Sequence, residues 1–190
     1  MDLRRRPWTA GIDIPSKLQP WAAQLEIDDD ANYIGLSASL QLALGKGELK
    51  LQSTDPHVQP ALNYNYYQEE EDLRRMREAV RLAVRIGDDP AFSDILLDRV
   101  IPTDDDLLSD ETLNDWLRRN SGTSHHISGT CKMGPDSDPM TVVDQYLKVK
   151  GVEGLRVADA SIMPDCIRAN TNATTIMIGE KVSDLIKEGK

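Results

Sequence analysis

The apolar residues of this chain change their period near residue 69, and few folds accommodate both halves of that pattern. Ile34, Leu36, Ala38, Leu40 and Leu42 fall on every second position, as in a strand with one buried face. Leu73, Met76, Val80, Ala83 and Val84 follow the three-four spacing of an amphipathic helix, with Arg and Glu between them. "GKGELKLQS" adds a glycine turn and a second strand with Leu49 and Leu51 inward. "TDPHVQP" reads as a proline-rich turn and "ALNYNYY" as a short extended piece. Pro90 ends the helix, and a second short helix is expected over "AFSDILLDRV". A third is expected over "SDETLNDWLRRN". Ser109 stands at its N-cap, acids fill its first turn, Arg118 and Arg119 its last, and Gly122 lies just beyond. "MTVVDQYLKV" and "LRVADAS" are strand candidates around the turn "KGVEG", and "NATTIMIGEKVSDLIKEGK" reads as a helix with Ile178, Val182, Leu185 and Ile186 on one face. Strands, then helices, then strands and a helix make an α+β chain rather than a regular βαβ repeat.

Residues 1–30, with Pro7, Pro15 and Pro20, read as an irregular lead-in. The formal charge of −10 argues against a nucleic-acid partner, because phosphates are bound by basic surfaces. No apolar run approaches the roughly 18 residues that span a bilayer. The basic start "MDLRRRPWTAGIDIP" lacks the apolar segment of a secretory signal. Two cysteines, Cys131 and Cys166, without a CxxC, are expected as free thiols in a reducing, cytoplasmic setting. No GxGxxG or GxxxxGK[ST] occurs, so the chain has no recognisable dinucleotide or phosphate cradle of its own.

The stretch richest in chemistry is "SHHISGTCKMG", residues 124–134. A metal site would need three or four ligands, but adjacent histidines in an extended segment point opposite ways, and His57 sits in a distant turn. A nucleophile would be Ser128, Thr130 or Cys131 with His126 as base, yet no GxSxG elbow or papain-like signature accompanies them. On these residues alone, His126 could equally be a satisfied polar group in a buried turn.

"HHISGTCKMG" followed by "GLRVADASIMPDCIRANTNATTIMIGEKVSDLI" closely resembles the C-terminal portion of the glucose-methanol-choline (GMC) oxidoreductases, a family of FAD-dependent alcohol oxidases and dehydrogenases. "GKGELKLQSTDPHVQPALNYNYYQEEEDLRRMREAVRLA" resembles the start of the family's substrate domain, so the likeness covers about residues 45–187. It implies a mostly antiparallel sheet with flanking helices as the substrate-binding domain, over residues 31–150. Residues 151–190 would be a terminal strand and helix that complete an FAD-binding domain.

Carried over by position, His126 falls on the family's catalytic histidine and Asn170 on its second active-site residue. Asp159 and Ala160 fall on the segment approaching the flavin's ribityl and phosphate region, and Thr171 and Asn172 on the turn beside the isoalloxazine ring. The implied reaction takes a small alcohol to an aldehyde or ketone by hydride transfer to flavin N5, with His126 as base and Asn170 donating to the developing alkoxide. The amides opening the last helix, from Thr174 on, would favour negative charge near the flavin. Three positions depart from the family pattern. Ile127 replaces a proline, Thr171 replaces a proline, and His125 stands where an aromatic residue is common, which leaves His125 as an alternative base. Family members carry an N-terminal glycine-rich βαβ unit that this sequence lacks. The expectation is a C-terminal piece, inactive without an FAD-binding portion and inclined to self-associate or meet a partner chain through its exposed apolar face. The competing expectation is a catalytically silent binding module derived from the family. The substrate alcohol, and oxidase against dehydrogenase, stay open.

Overall fold

A computed structural model describes residues 6–11 and 34–190. Over these residues the chain is α+β, and it divides into two compact units that interleave along the sequence. One unit contains the described part of Met1–Leu40 together with Tyr66–Ser124; the other is Gln41–Asn65 with His125–Lys190. The His126 segment therefore groups with the C-terminal helix, where the sequence reading drew a boundary at residue 150.

The first unit is built on a parallel sheet of β1 (Arg6–Gly11), β2 (Ile34–Ser37) and β5 (Leu96–Ile101), in the order β2-β1-β5. β1 lies within the segment expected as an irregular lead-in; residues 1–5 and 12–30 of that segment lie outside the described residues. Trp8 pairs with Ile34 and Ala10 with Leu36, while the pairing with β5 is interrupted by register shifts. α1 (Glu70–Gly87) packs on β1 and β2 and against α3 (Asp110–Asn120). Its buried face carries Leu73, Met76, Val80, Ala83 and Val84, which meet Leu113, Trp116 and Leu117 of α3 and Ala10, Leu96 and Ile101 of the sheet.

Charge placement supports both helices. α1 opens with Glu70, Glu71 and Asp72 and closes with Arg85, which complements the helix dipole. Buried Arg77 donates to Asn114 Oδ1 of α3 and to Glu70 Oε1, both at 2.8 Å, tying the two helices together. Ser109 caps α3 as expected, in a reciprocal box with Thr112: the Ser109 hydroxyl accepts from Thr112 N at 3.1 Å. The short α2 (Asp104–Leu107) is capped likewise by Thr103 and Asp106. Nearby, burial pushes the Tyr67 phenol above its ordinary pKa, and its hydroxyl meets Ser121 Oγ.

One expected helix is absent. "AFSDILLDRV" forms a 3-10 turn at Pro90–Phe92 and then strand β5. Its apolar residues can pair with β1, and that long-range ladder overrides local helix propensity.

In the second unit, β3 (Glu48–Lys50) and β4 (Ala61–Asn63) form an antiparallel pair with Leu49 opposite Leu62. Among the described residues this pair is antiparallel and the three-stranded sheet is parallel, so over those residues the expectation of a mostly antiparallel sheet is corrected. Leu49 and Leu51, expected inward, are 49 % and 81 % exposed. Gly47 is needed beside this hairpin, since a Cβ there would stand 2.3 Å from Asn63 O.

The two strand candidates around "KGVEG" do not form ladders. They contribute isolated bridges, Met133 with Val143, Val143 with Val149, and Lys148 with Arg156. The chain turns too often for more: Asp144 Oδ1 accepts from Tyr146 N and Lys148 N, and Leu147 N donates to Asp144 O. α4 (Asn172–Lys187) closes the unit. Ile178 is buried with Val143, Leu147, Ile162 and Met163, and Val182 packs at the edge of that cluster. Ile186, expected on the same face, is exposed.

Candidate active site

Two segments of the second unit run side by side and carry the residues of interest. Gly129 N donates to Ala160 O at 3.3 Å, Cys131 N to Ser161 O at 2.8 Å, and Met133 N to Ile162 O at 2.8 Å. The donors advance by two residues and the acceptors by one, because an extended stretch lies along a 3-10 turn, Ala160–Ile162. Asp159 starts that turn by accepting from Ser161 N at 2.8 Å. Gly129 is at φ +82°, and a Cβ there would lie 3.3 Å from Met163 O. Lys132 donates to Asp138 at 2.8 Å, and with the Met140 N–H it holds the Asp138 carboxyl below the usual carboxylate range. Lys150 Nζ fastens the same turn through Gly134 O at 2.9 Å and Thr141 Oγ1 at 2.6 Å.

From this frame the imidazole of His126 meets two side chains far along the chain. Its Nε2 lies 3.2 Å from Asn170 Oδ1, and its Nδ1 lies 3.1 Å from Thr171 Oγ1. His125 stands immediately before it in the left-handed region at φ +62°, a conformation that costs a non-glycine residue on the order of 1 kcal/mol. His125 is exposed; the contacts to Asn170 and Thr171 belong to His126.

His126, Asn170 and Thr171 are therefore brought together, and Asn172 follows them as the first residue of α4. Ala160 O accepts from Gly129 N, while Asp159 holds the 3-10 turn by accepting from Ser161 N and Ile162 N. Both ring nitrogens of His126 are taken up by Asn170 and Thr171, so Ser128, Thr130 and Cys131 are not paired with it as nucleophiles. Both cysteines are free thiols. Among the described residues no group of three or more His, Cys, Asp or Glu is placed to hold a metal ion, and no helix is long and apolar enough to cross a membrane.

α4 opens without any side-chain cap, which leaves amide donors at Asn172 and the residues after it. One turn on, Ile176 and Met177 present exposed apolar surface. Asn170 and Asn172 are exposed too. Amide donors and apolar side chains thus lie close together along the start of α4, a donor set that suits a planar ligand with polar edges. The Thr171–His126 contact lay beyond the reading of the sequence, which placed Thr171 with the cofactor. The signal for it was a hydroxyl residue at the one position of "NTN" where the resembling family has proline.

A family model described as GMC oxidoreductase matches residues 43–179. The oxygen-dependent choline dehydrogenase of Cronobacter sakazakii is 46 % identical over 142 residues, covering 75 % of this chain and 25 % of that protein. Among solved structures, an FAD-dependent oxidoreductase from Chaetomium thermophilum superposes with a TM-score of 0.68 at 28 % identity, over 75 % of this chain and 24 % of that one. The formate oxidase of Aspergillus oryzae does so with a TM-score of 0.67 at 33 % identity, over 76 % and 25 %. The chain spans about a quarter of the length of the curated relatives it matches. By its matched segment, this chain belongs to the GMC oxidoreductase family.

Proposed function

We propose that this chain supplies the base and the hydrogen-bonding half of an FAD-dependent alcohol oxidoreductase, converting an alcohol to an aldehyde or ketone. The observation that carries the reading is the placement of His126 between Asn170 and Thr171 within the segment that identifies the family. Bound FAD would supply the two-electron acceptor that takes the hydride from the alcohol carbon.

The chain's own residues account for the rest. His126 receives the substrate's hydroxyl proton, which lets the C–O bond become a carbonyl as the hydride leaves the same carbon. Once protonated, Nε2–H donates to Asn170 Oδ1, the atom it faces at 3.2 Å. The Asn170 amide group then has Nδ2 to donate to the oxygen where negative charge develops, and an amide does not compete for the proton. His126 is the base in this reading because it is the histidine that meets Asn170 and Thr171. Asn172 and Thr171 would border the ring, while Asp159 and Ala160 would support the histidine segment from beneath. The choline dehydrogenase relatives make choline the first alcohol to try.

The remaining three quarters of the relatives' length would contribute the FAD-binding portion, so the chain alone is expected neither to hold FAD tightly nor to turn over. The test is a titration of FAD followed by visible absorbance, with this chain alone and with the separately produced remainder of the Cronobacter relative. Binding by the combination only, followed by bleaching on adding choline or another short alcohol, supports the reading. A combination that holds FAD and bleaches with no alcohol would instead mark a silent module.

A further inference from the structure

We propose that strand β3 is a docking edge for a second copy of this chain. The two copies pair antiparallel about Leu49, so that their β3–β4 hairpins join into one sheet of order β4-β3-β3-β4. This inference stands apart from the chemistry assigned to His126.

Among the described residues β3 pairs with β4 alone, which leaves the other edge of β3 without a ladder partner. Every residue of both strands is exposed. Successive side chains of a strand point to opposite faces. Leu49 therefore shares one face with Leu62, the residue opposite it, and Leu51 follows on the same side of the alternation. Glu48 and Lys50 share the other face. All three leucines stand open. An exposed apolar strand with an unpaired edge is a template for another chain. The edge of β4 is a poorer one, because Pro60, just before it, has no amide to donate and "ALN" carries no charge.

The charges on β3 select both the occupant and the register. In an antiparallel pair about Leu49, Glu48 faces Lys50 of the copy, Leu49 faces Leu49 of the copy, and Leu51 faces Gly47, which has no side chain. Within one chain Lys50 Nζ already donates to Glu48 Oε1 at 2.8 Å. Two copies thus place each charge beside an opposite one, both along the strand and across the new pair. Opposite charges facing each other across strands stabilise a sheet, and like charges destabilise it. Centring the pair on Glu48 would face acid with acid, and centring it on Lys50 would face lysine with lysine, so the charges admit the register about Leu49. On the other face Leu62 and Leu49 continue into Leu49 and Leu62 of the copy as one apolar row. A lysine on an edge ordinarily keeps foreign strands away. A copy of this strand answers it with Glu48. A three-residue edge buries little, so the dimer belongs to the transient class of interfaces below about 1,200 Å².

The experiment is sedimentation equilibrium of this chain over a wide range of concentration, with circular dichroism to show that each variant keeps the fold. Wild type should pass reversibly from monomer to dimer as concentration rises. Glu48→Lys and Lys50→Glu each set like charges against each other twice across the axis, and each should weaken the dimer by about tenfold or more. Glu48→Lys also makes the chain, at −10, less negative, so a weaker dimer there does not come from general repulsion. The double variant carrying both changes should associate like wild type. The most specific result is the mixture: Glu48→Lys and Lys50→Glu chains should pair with each other, although neither pairs well with itself. A monomer at every concentration, single variants that associate like wild type, or a mixture that fails to pair would overturn the proposal. So would association that survives the charge variants and is lost in Ile176→Lys, which would move the interface to the exposed residues of α4. A chain that is monomeric alone, with β3 amides protected from exchange only on adding the remainder of the Cronobacter relative, would give the edge to that portion and equally overturn it.

Discussion

Replacing Ile162 by alanine should loosen the second unit by an amount that the structure allows to be worked out. Ile162 is 1 % exposed, in the 3-10 turn that accepts from Met133 N, and it packs with Val143, Leu147, Met163 and Ile178. The substitution removes three buried carbons, worth about 2.4 kcal/mol at about 0.8 kcal/mol each. An incompletely collapsed cavity raises the cost to about 3 kcal/mol, within the span known for such truncations. That is about a 150-fold change in the opening equilibrium. Peptide-resolved hydrogen exchange should therefore show amides around Met163 and along α4 exchanging faster by up to that factor. Ile186→Ala deletes the same atoms from a side chain that is 59 % exposed, and should cost about 1 kcal/mol at most. If the two variants exchange alike, Ile162 is not the packing centre described, and the support inferred for the His126 segment is wrong.

Two further substitutions probe other elements. Ser109→Ala removes the N-cap of α3 and should destabilise the first unit by about 1 kcal/mol, read as a lower urea midpoint; no shift would mean the capping box contributes nothing. Asp138 is held below the usual carboxylate range by Lys132 and the Met140 N–H. Its contribution is complete above about pH 4 and is lost as the pH falls through the lower folded value. Asp138→Asn should accordingly flatten the dependence of stability on pH below about 4, and a curve as steep as wild type would refute this.

The helices were legible because their signals are local. α1 announces itself by spacing, and α3 by Ser109, its acidic first turn and its final arginines. β5 was not, since Leu96–Ile101 becomes a strand only by pairing with β1, some ninety positions earlier and in a proline-bearing stretch. The alternation of Leu49 and Leu51 suggested a buried face, yet a two-stranded hairpin has nothing to bury it against within its own unit. The candidate site was legible through motif order rather than physics. No periodicity connects His126 to residues 44 and 45 positions on, and the family resemblance alone joined His126 to Asn170. The contact of Thr171 with the imidazole needed coordinates, because the resemblance placed Thr171 beside the flavin and no local pattern links it to His126.

The most direct test of the central claim, that His126 takes the substrate's hydroxyl proton, is anaerobic stopped-flow reduction of bound FAD by an alcohol, comparing wild type with His126→Gln in the FAD-loaded combination. General-base catalysis by a positioned side chain is worth roughly 100- to 10,000-fold. The account predicts that His126→Gln keeps the FAD spectrum and loses at least about 100-fold in the reduction rate, while His125→Gln stays within a few-fold of wild type. Reduction of His126→Gln at the wild-type rate would contradict it.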